Sequence, residues 1–517
     1  MNDKFVNELM KSATSTESTI IIKELLIDKN KSTPIVIMYS ESIVNKDIIN
    51  RDILNPLMYN FNVLFPDNID KYDFLVKVAL PVSNCLVEDS FSNIVNALRS
   101  GKTILTFYGL RKAIIIDTIS LQYRSISTPT ITSTIASSKE DLNESLETNI
   151  SIFKRRIKDK NLIIKNMNLG RRSKTNINVL YLKDIANQNV VNNVLKDIAS
   201  LDVDNIQSLG ALQQYIEEFN YSIAPQGYIT DSAENAVDKL SEGKVIVLME
   251  GSPYALCLPA LLIEFFHSLD DYNQRTIVAS FSRVLRFIAI IIVLTLPSLY
   301  VILTKFNPEL LIDKYVQPIA SSRQGIPLSP FLEIFTMDLV VEFLREGGLR
   351  LPSKVGQTLS IVSGIIIGDA AIQSKIISPS ALFIVGISVV CTFLIPNYQM
   401  ALSIRLIKFP FLILSNTFGI LGFVIGFFFL LLYLFNLNVY GIDYVSFYSD
   451  DMKDTFIRGK LSSLIKRPII SKTKDKIRLG TNHIKKWSEK YNEKKSSNIN
   501  KWIYMYAYRL FHNYNGT

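Results

Sequence analysis

Phe409-Pro-Phe-Leu-Ile-Leu-Ser-Asn-Thr-Phe-Gly419-Ile-Leu-Gly422-Phe-Val-Ile-Gly426-Phe-Phe-Phe-Leu-Leu-Leu-Tyr433-Leu-Phe-Asn-Leu-Asn-Val-Tyr-Gly-Ile442 runs for 34 residues without one charged side chain. A bilayer's hydrocarbon core is crossed by about 20 apolar residues in helical form, so this run alone argues against a purely water-soluble chain. Two more uncharged runs precede it, 18 residues at Phe287–Thr304 and 29 at Ile376–Ile404. A fourth, Val355–Gly368, is shorter but continues past Asp369 to Ile376. Backbone amides inside lipid have no water to bond, and these runs do not alternate as barrel strands would, so they read as helices. The expectation is an all-α polytopic membrane domain over residues 287–442 with about four spans. Gly422 and Gly426 form a small-xxx-small pair with Gly419 one turn earlier, which points to close helix packing.

Working outward, charge sorts the flanks. The chain has 517 residues, 48% hydrophobic and 20% charged, with net charge +9. From Met452 to Thr517 there are 16 Lys/Arg and 4 Asp/Glu, whereas residues 1–286 are near balance. A basic segment beside a membrane span favours the cytoplasmic side, so the tail, 443–517, is expected inside. Residues 1–18 are polar, read as a flexible N-terminus, and show no apolar signal-peptide core, which keeps the N-terminal domain on the same side. Two ends on one side require an even number of crossings. Arg405 and Lys408 resist the four-span arrangement, because they fall between the last two runs on the outer side; six crossings or a re-entrant piece are the alternatives.

Residues 19–286 read as soluble α/β. Short β-rich runs at Pro34–Met38, Thr103–Phe107, Ala113–Asp117, Ile177–Leu182 and Val245–Met249 alternate with helical, charge-rich stretches. Tyr108-Gly109-Leu110-Arg111 reads as a hairpin turn and Glu250-Gly251-Ser252-Pro253 as another turn. The Ser/Thr-rich stretch Ser125–Ser138 suggests a division into two α/β subdomains, 19–136 and 137–286. No internal repeat stands out.

Three Cys (Cys85, Cys257, Cys391) and three His (His267, His483, His512) are scattered. That excludes a disulfide scaffold and a structural zinc module, and leaves little for acid–base chemistry, so no enzyme and no cofactor is expected. The basic clusters Lys154-Arg155-Arg156 and Gly170-Arg171-Arg172-Ser173-Lys174-Thr175 lack phosphate-loop spacing. They read as solvated faces, or as anion or membrane-surface contacts. Nucleic acid is not an expected partner.

Two stretches carry candidate function. An amphipathic helix over 331–348 would place Asp338, Glu342 and Glu346 on one stripe. Either it is the polar face of an interfacial helix, or, in several copies, an acidic ring at a pore mouth that gathers cations, or a stripe that Arg345 and Arg350 simply neutralise. Next, Gln357, Ser360, Gly364, Ile367 and Ala371 share a helical face, with Ser363 adjoining. That face is either helix packing or a pore lining, polar at the entrance and closed by an isoleucine constriction.

The combination Leu344-Arg345-Glu346-Gly-Gly-Leu-Arg350-Leu-Pro352 into Gly356-Gln357, with Ile367-Gly-Asp-Ala-Ala371 and Glu242-Gly-Lys-Val-Ile-Val-Leu-Met-Glu-Gly-Ser-Pro253, resembles the A subunits of GerA-type spore germinant receptors. Arg345, Glu346, Arg350, Pro352, Gly356 and Gln357 carry it most specifically. The SpoVAF-type relatives share these motifs. The resemblance implies a protein of the spore inner membrane, with N-terminal domain and tail on the core side. It implies assembly with a transporter-like B subunit and a lipoprotein C subunit into an oligomeric, nutrient-gated channel for monovalent cations. A pore on the axis of a homo-oligomeric ring, in contact with membrane lipid, is the economical arrangement for a chain with few spans. The competing expectation is a non-conducting, membrane-anchored scaffold or ligand-sensing subunit.

Overall fold

The computed structural model describes residues 5–9, 20–27, 33–41, 44–60, 70–82, 85–99, 101–118, 140–219, 221–350, 364, 366–446, 448–452, 454–461 and 464–478. Of the sequence candidates, Pro352, Gly356, Gln357, Ser360 and Ser363, the Ser125–Ser138 boundary, residues 10–18 and the tail beyond 478 lie outside them.

Two five-stranded antiparallel sheets build the N-terminal half. The first contains β1 (Ile20–Ile27), β2 (Thr33–Ser40), β3 (Cys85–Glu88), β4 (Thr103–Phe107) and β5 (Ala113–Ile116), in the order β1-β2-β4-β5-β3. The second contains β6 (Leu162–Leu169), β7 (Thr175–Leu182), β8 (Tyr228–Thr230), β9 (Val245–Met249) and β10 (Ala255–Leu258), in the order β6-β7-β9-β10-β8. All five β-rich runs expected from the sequence are strands, and both turns join hairpins. Gly109 (φ 86°) and Gly251 (φ 77°) supply the left-handed residue that each hairpin needs.

The strand orders are the same, and four of the five strand pairs keep one spacing. Ile20 and Leu162, Thr33 and Thr175, Thr103 and Val245, Ala113 and Ala255 open equivalent strands 142 residues apart. Helices α1 (Phe91–Arg99) and α5 (Ala233–Ser241) obey the same offset. The N-terminal half is therefore a structural duplication, which corrects the expectation of no internal repeat. Its sequence trace is thin: Gly101-Lys102 and Gly243-Lys244 before β4 and β9, Gly109 and Gly251 after them, and Lys23 and Lys165 in β1 and β6. Core positions need only shape and apolarity, so they drift; the glycines at φ 87° and 90°, Gly101 and Gly243, do not have that freedom.

Both copies cover their sheets with helices. In the second, α2 (Leu146–Arg156), α3 (Gln188–Ser200), α4 (Leu209–Ile216) and α5 bury Phe153, Val191, Val194, Ile198, Leu212 and Leu240 against the sheet. Lys154 is no solvated cluster residue: it is buried and its Nζ donates to Ser40 Oγ across 3.0 Å, tying α2 to the first sheet. Arg155 and Arg156 both pair with Glu140, and Arg171 sits at 3.2 Å from Asp202 and Asp204.

The C-terminal half is helical. α6 (Thr276–Lys305) and α10 (Tyr398–Asn436) are long and apolar enough to cross a membrane, and α9 (Pro379–Thr392) is a shorter apolar helix. Between them lie α7 (Asp313–Ser322), α8 (Pro330–Leu349) and a short helix at 366–373. α10 breaks at Gly419 (φ 62°, ψ −138°) and folds back on itself, so that Phe411 of the first limb meets Phe423 of the second at 5.8 Å between ring centroids. A Cβ on Gly422 would lie 2.0 Å from the Leu414 carbonyl oxygen, and one on Gly426 3.1 Å from Leu414 Cδ1. Gly422 and Gly426 thus sit where the two limbs approach closest, whereas Gly419 forms the bend. Each limb, of about 20 residues, is about 30 Å long.

α8 differs from the surface helix anticipated at 331–348. Ile334 and Met337 are buried with Tyr300 of α6, Ala381 and Val385 of α9 and Leu412 of α10, so α8 packs inside the bundle. The passes alternate in direction. Lys305 at the far end of α6 bonds Asn416 near the bend of α10, and Ser378 at the start of α9 bonds Glu333 at the start of α8. Asn397 caps α10 at the opposite end, where Ile395, Met400 and Ala401 join the core of the second sheet. The starts of α8 and α9 thus lie together, and the Gly419 bend adds a reversal that the uncharged run 409–442 did not signal.

Candidate functional site

Charge inside the apolar bundle is where function is expected, because each buried ion needs a partner. Asp338 of α8 is fully buried, and Lys408 Nζ donates to its Oδ1 across 2.8 Å. One turn on, Glu342 pairs with Arg345 and lies 4.0 Å from Arg405 Nε. Glu346 pairs with Arg350 at 2.8 Å on the exposed end. The acidic stripe is therefore spent on basic partners and is no free ring of carboxylates. The same pairs explain Arg405 and Lys408: they lie within the first limb of α10, facing α8, not in an outer loop. At the far end, Glu333 accepts from Arg323 Nε at 3.2 Å and from the Ser378 backbone N at 2.9 Å, capping α9.

The short helix 366–373 differs. Gly364, Ile366 and Ile367 are exposed on its outer side, whereas Gly368 is buried and a Cβ there would meet Leu382 at 3.7 Å. Ala371 packs against the bundle core rather than sharing the outward face expected for it. Asp369 also points outward and accepts from Gln373 Nε2 at 2.6 Å. Its carboxylate has no Lys or Arg partner among the described residues.

A second charged cluster joins the two halves. Arg283 of α6 is completely buried; its Nε donates to Asp271 at 3.1 Å and its Nη1 to Asp454 Oδ1 at 3.0 Å. Arg286 grips Asp271 with both terminal nitrogens, 2.7 and 2.8 Å, the planar fork that favours arginine for such pairs. Tyr272 Oη donates to Asp454 Oδ2 at 2.7 Å, and the guanidinium carbons of Arg283 and Arg458 lie 5.3 and 5.6 Å from its ring centre. Burial, with Asp454 beside it, pushes the Tyr272 phenol up. Burial alone would raise the Asp271 carboxyl, but Arg286 and Arg283 hold it below the usual range. Three chain segments, 271–274, 283–286 and 454–458, are locked by this one knot. Sequence spacing gave no sign of it, because Asp454 lies in the basic tail.

Beside the knot lies a cavity of about 700 Å³, bounded by Lys239, Glu264, His267, Tyr272 and Phe287 and covered by residues 444–478. Glu264 accepts from Lys239 Nζ at 3.1 Å and from Lys244; burial would raise its carboxyl, but the two lysines hold it down at about 2. His267 is pushed down to about 4 by burial and by the Arg283 charge; neutral, its Nε2–H donates to the Thr455 carbonyl at 3.0 Å. Burial lifts the Cys257 thiol to about 12. No group of three His, Cys, Asp or Glu able to hold a metal occurs among the described residues.

These features define a class: a duplicated α/β domain bolted through buried ion pairs to a bundle containing two membrane-length helices. The chain belongs to a family described as Bacillus/Clostridium GerA spore germination protein, whose model matches residues 8–470. It is 35% identical to spore germination protein B1 of Bacillus subtilis (strain 168), over 78% of this chain and 87% of that one. Spore germination protein KA of the same organism is 31% identical over 91% of this chain and 87% of its own. A crystal structure of the N-terminal domain of the A subunit of the Bacillus megaterium germinant receptor GerK3 covers 50% of this chain and 94% of that domain, at 24% identity and a TM-score of 0.37.

Proposed function

We propose that this chain is the A subunit of a nutrient germinant receptor in the spore inner membrane. In this reading its copies gather in a ring around a path for monovalent cations. A transporter-like B subunit and a lipoprotein C subunit complete the receptor, with the duplicated domain and the tail on the core side. The observation that carries the reading is the outward face of helix 366–373. The carboxylates of α8, Glu333, Asp338, Glu342 and Glu346, are each matched to Lys or Arg, as a low-dielectric setting demands. Asp369 is turned outward without such a partner among the described residues, beside Ile366 and Ile367, on a bundle whose other exposed side chains are mostly apolar. A carboxylate so placed is satisfied by water or a cation, which suits the wall of an aqueous path, and the isoleucines suit a constriction that closes by dewetting.

The test is ion flux from vesicles holding the purified receptor. Ile367→Ala should raise basal cation leak, Ile367→Trp should abolish nutrient-triggered flux, and Asp369→Asn should reduce preference for cations over chloride. Unchanged flux and selectivity in all three variants would refute this assignment. The cavity of about 700 Å³ favours a second reading, a ligand-sensing subunit, because sites for small molecules are commonly of that size. Calorimetric binding of a germinant to the purified full chain, without B and C subunits, tests it.

A further inference from the structure

The second α/β copy keeps its apolar side chains inside with one local exception. Between residues 140 and 270 the large hydrophobic side chains left exposed, among the described residues, are Tyr215, Phe219, Tyr221 and Ile223. Tyr221 is 101% exposed. All four belong to the end of α4 and the loop that follows it, a concentration that single scattered surface hydrophobics do not show.

That loop is strapped to the base of the helical hairpin. Ser403 Oγ donates to the Ile223 carbonyl at 2.6 Å, Tyr433 Oη lies 2.6 Å from Ser222 Oγ, and the Ala224 backbone N donates to Tyr433 Oη at 3.1 Å. Ser403 is near the start of α10 and Tyr433 near its end. Both limbs are thus gripped where they leave the α/β domain. Immediately along the limbs, Leu406, Phe429 and Leu432 are exposed, so an apolar surface continues from the loop onto the two limbs. Of the two acids in this stretch, Glu217 turns inward, accepting from Gln213 Nε2 at 2.6 Å and from the Gln226 backbone N at 3.2 Å, while Glu218 is exposed but tied to the Tyr440 backbone N at 3.4 Å. Three aromatics and an isoleucine outward, with both carboxylates held by hydrogen bonds, is unlike a loop built only for water.

We propose that Tyr215, Phe219, Tyr221 and Ile223 form a membrane foot, resting in the headgroup–acyl boundary of the bilayer that the helical hairpin crosses. Tyrosine suits that boundary because its ring is apolar and its hydroxyl remains wet, as in the aromatic belts of membrane proteins. The foot would hold the α/β domain at fixed height and tilt beneath the bundle. The inference rests on the hairpin spanning the membrane, and the test separates the two.

Tyr221→Trp and, near mid-limb, Phe429→Trp are each introduced into full-length protein whose own tryptophans are removed by Trp487→Phe and Trp502→Phe. Both are reconstituted into phosphatidylglycerol-containing vesicles with lipid brominated either near the headgroup or near the chain end. The Tyr221→Trp protein should lose most of its emission to shallow bromine and little to deep bromine, and the Phe429→Trp protein the reverse. Deep quenching at position 429, with position 221 quenched by aqueous acrylamide and not by either lipid, overturns the foot and leaves the spans standing. Emission at 221 shielded from both acrylamide and bromine overturns it in favour of a covering protein surface. Absence of bromine quenching at both positions overturns the spanning hairpin itself.

Discussion

Lys408 and Asp338 are buried at 2.8 Å inside the bundle, with side-chain exposures of 5% and 0%. Replacing Asp338 by Asn keeps the volume but strands the lysine charge, and losing one member of such a pair costs about 3–5 kcal/mol. Lys408→Met strands the carboxylate and should cost a similar amount. The double variant Asp338→Leu/Lys408→Met removes both charges, replaces them with apolar groups of comparable size, and should lie within about 1–2 kcal/mol of the parent or above it. Hydrogen exchange in detergent micelles, read at the backbone amides of α8 and the first limb of α10, reports the opening free energy of these helices without assuming two-state unfolding of a large chain. Both single variants should exchange faster there by a factor of about 100 or more, since each 1.4 kcal/mol is about tenfold, and the double variant should recover most of that protection. Additive losses within about 0.5 kcal/mol would mean the pair is not coupled and would refute the ion-pair account of α8 packing.

Three further outcomes follow from local geometry. His267 has its folded pKa depressed to about 4 from 6.5, so the unfolded chain takes up its proton first as pH falls. Its contribution to stability is complete above about pH 6.5 and is lost progressively down to about pH 4; thermal scans across that window should show a steeper acid-side decline in the parent than in His267→Gln. Gly422→Ala places a Cβ against backbone, the Leu414 carbonyl, and should disrupt the hairpin, seen as lost protection in both limbs of α10, whereas Gly386→Ala, with open space around it, should leave them unchanged. Arg283→Lys cannot reproduce the forked contacts to Asp271 and Asp454, so limited proteolysis should release the 448–478 segment faster while the sheets of the α/β domain stay protected.

Much of the layout was legible in the chain itself. Strands at Thr103–Phe107 and Val245–Met249 were legible as unbroken β-branched and apolar runs closed by a glycine, and the membrane-length helices as uncharged runs. Local signals of this kind survive because propensity, period and turn chemistry act within a few residues. The 142-residue duplication was nearly invisible, since its copies share topology more than side chains. The acidic stripe shows a related limit. Helical spacing placed Asp338, Glu342 and Glu346 on one face, but spacing within a helix cannot say what the next helix brings to that face.

What the sequence determined alone is therefore the class of each segment: sheet-forming, helix-forming, membrane-length, basic. What only the tertiary structure decided is which charges meet. Lys408 reaches Asp338 from 70 positions away, and Asp454 reaches Arg283 from 171. The first of these meetings turns Lys408, whose placement resisted a four-span layout, into an internal bolt of the bundle. Their physical reason is that burying an ion is costly without a counter-ion, and its counter-ion is chosen by the packing of whole helices rather than by neighbours in the chain.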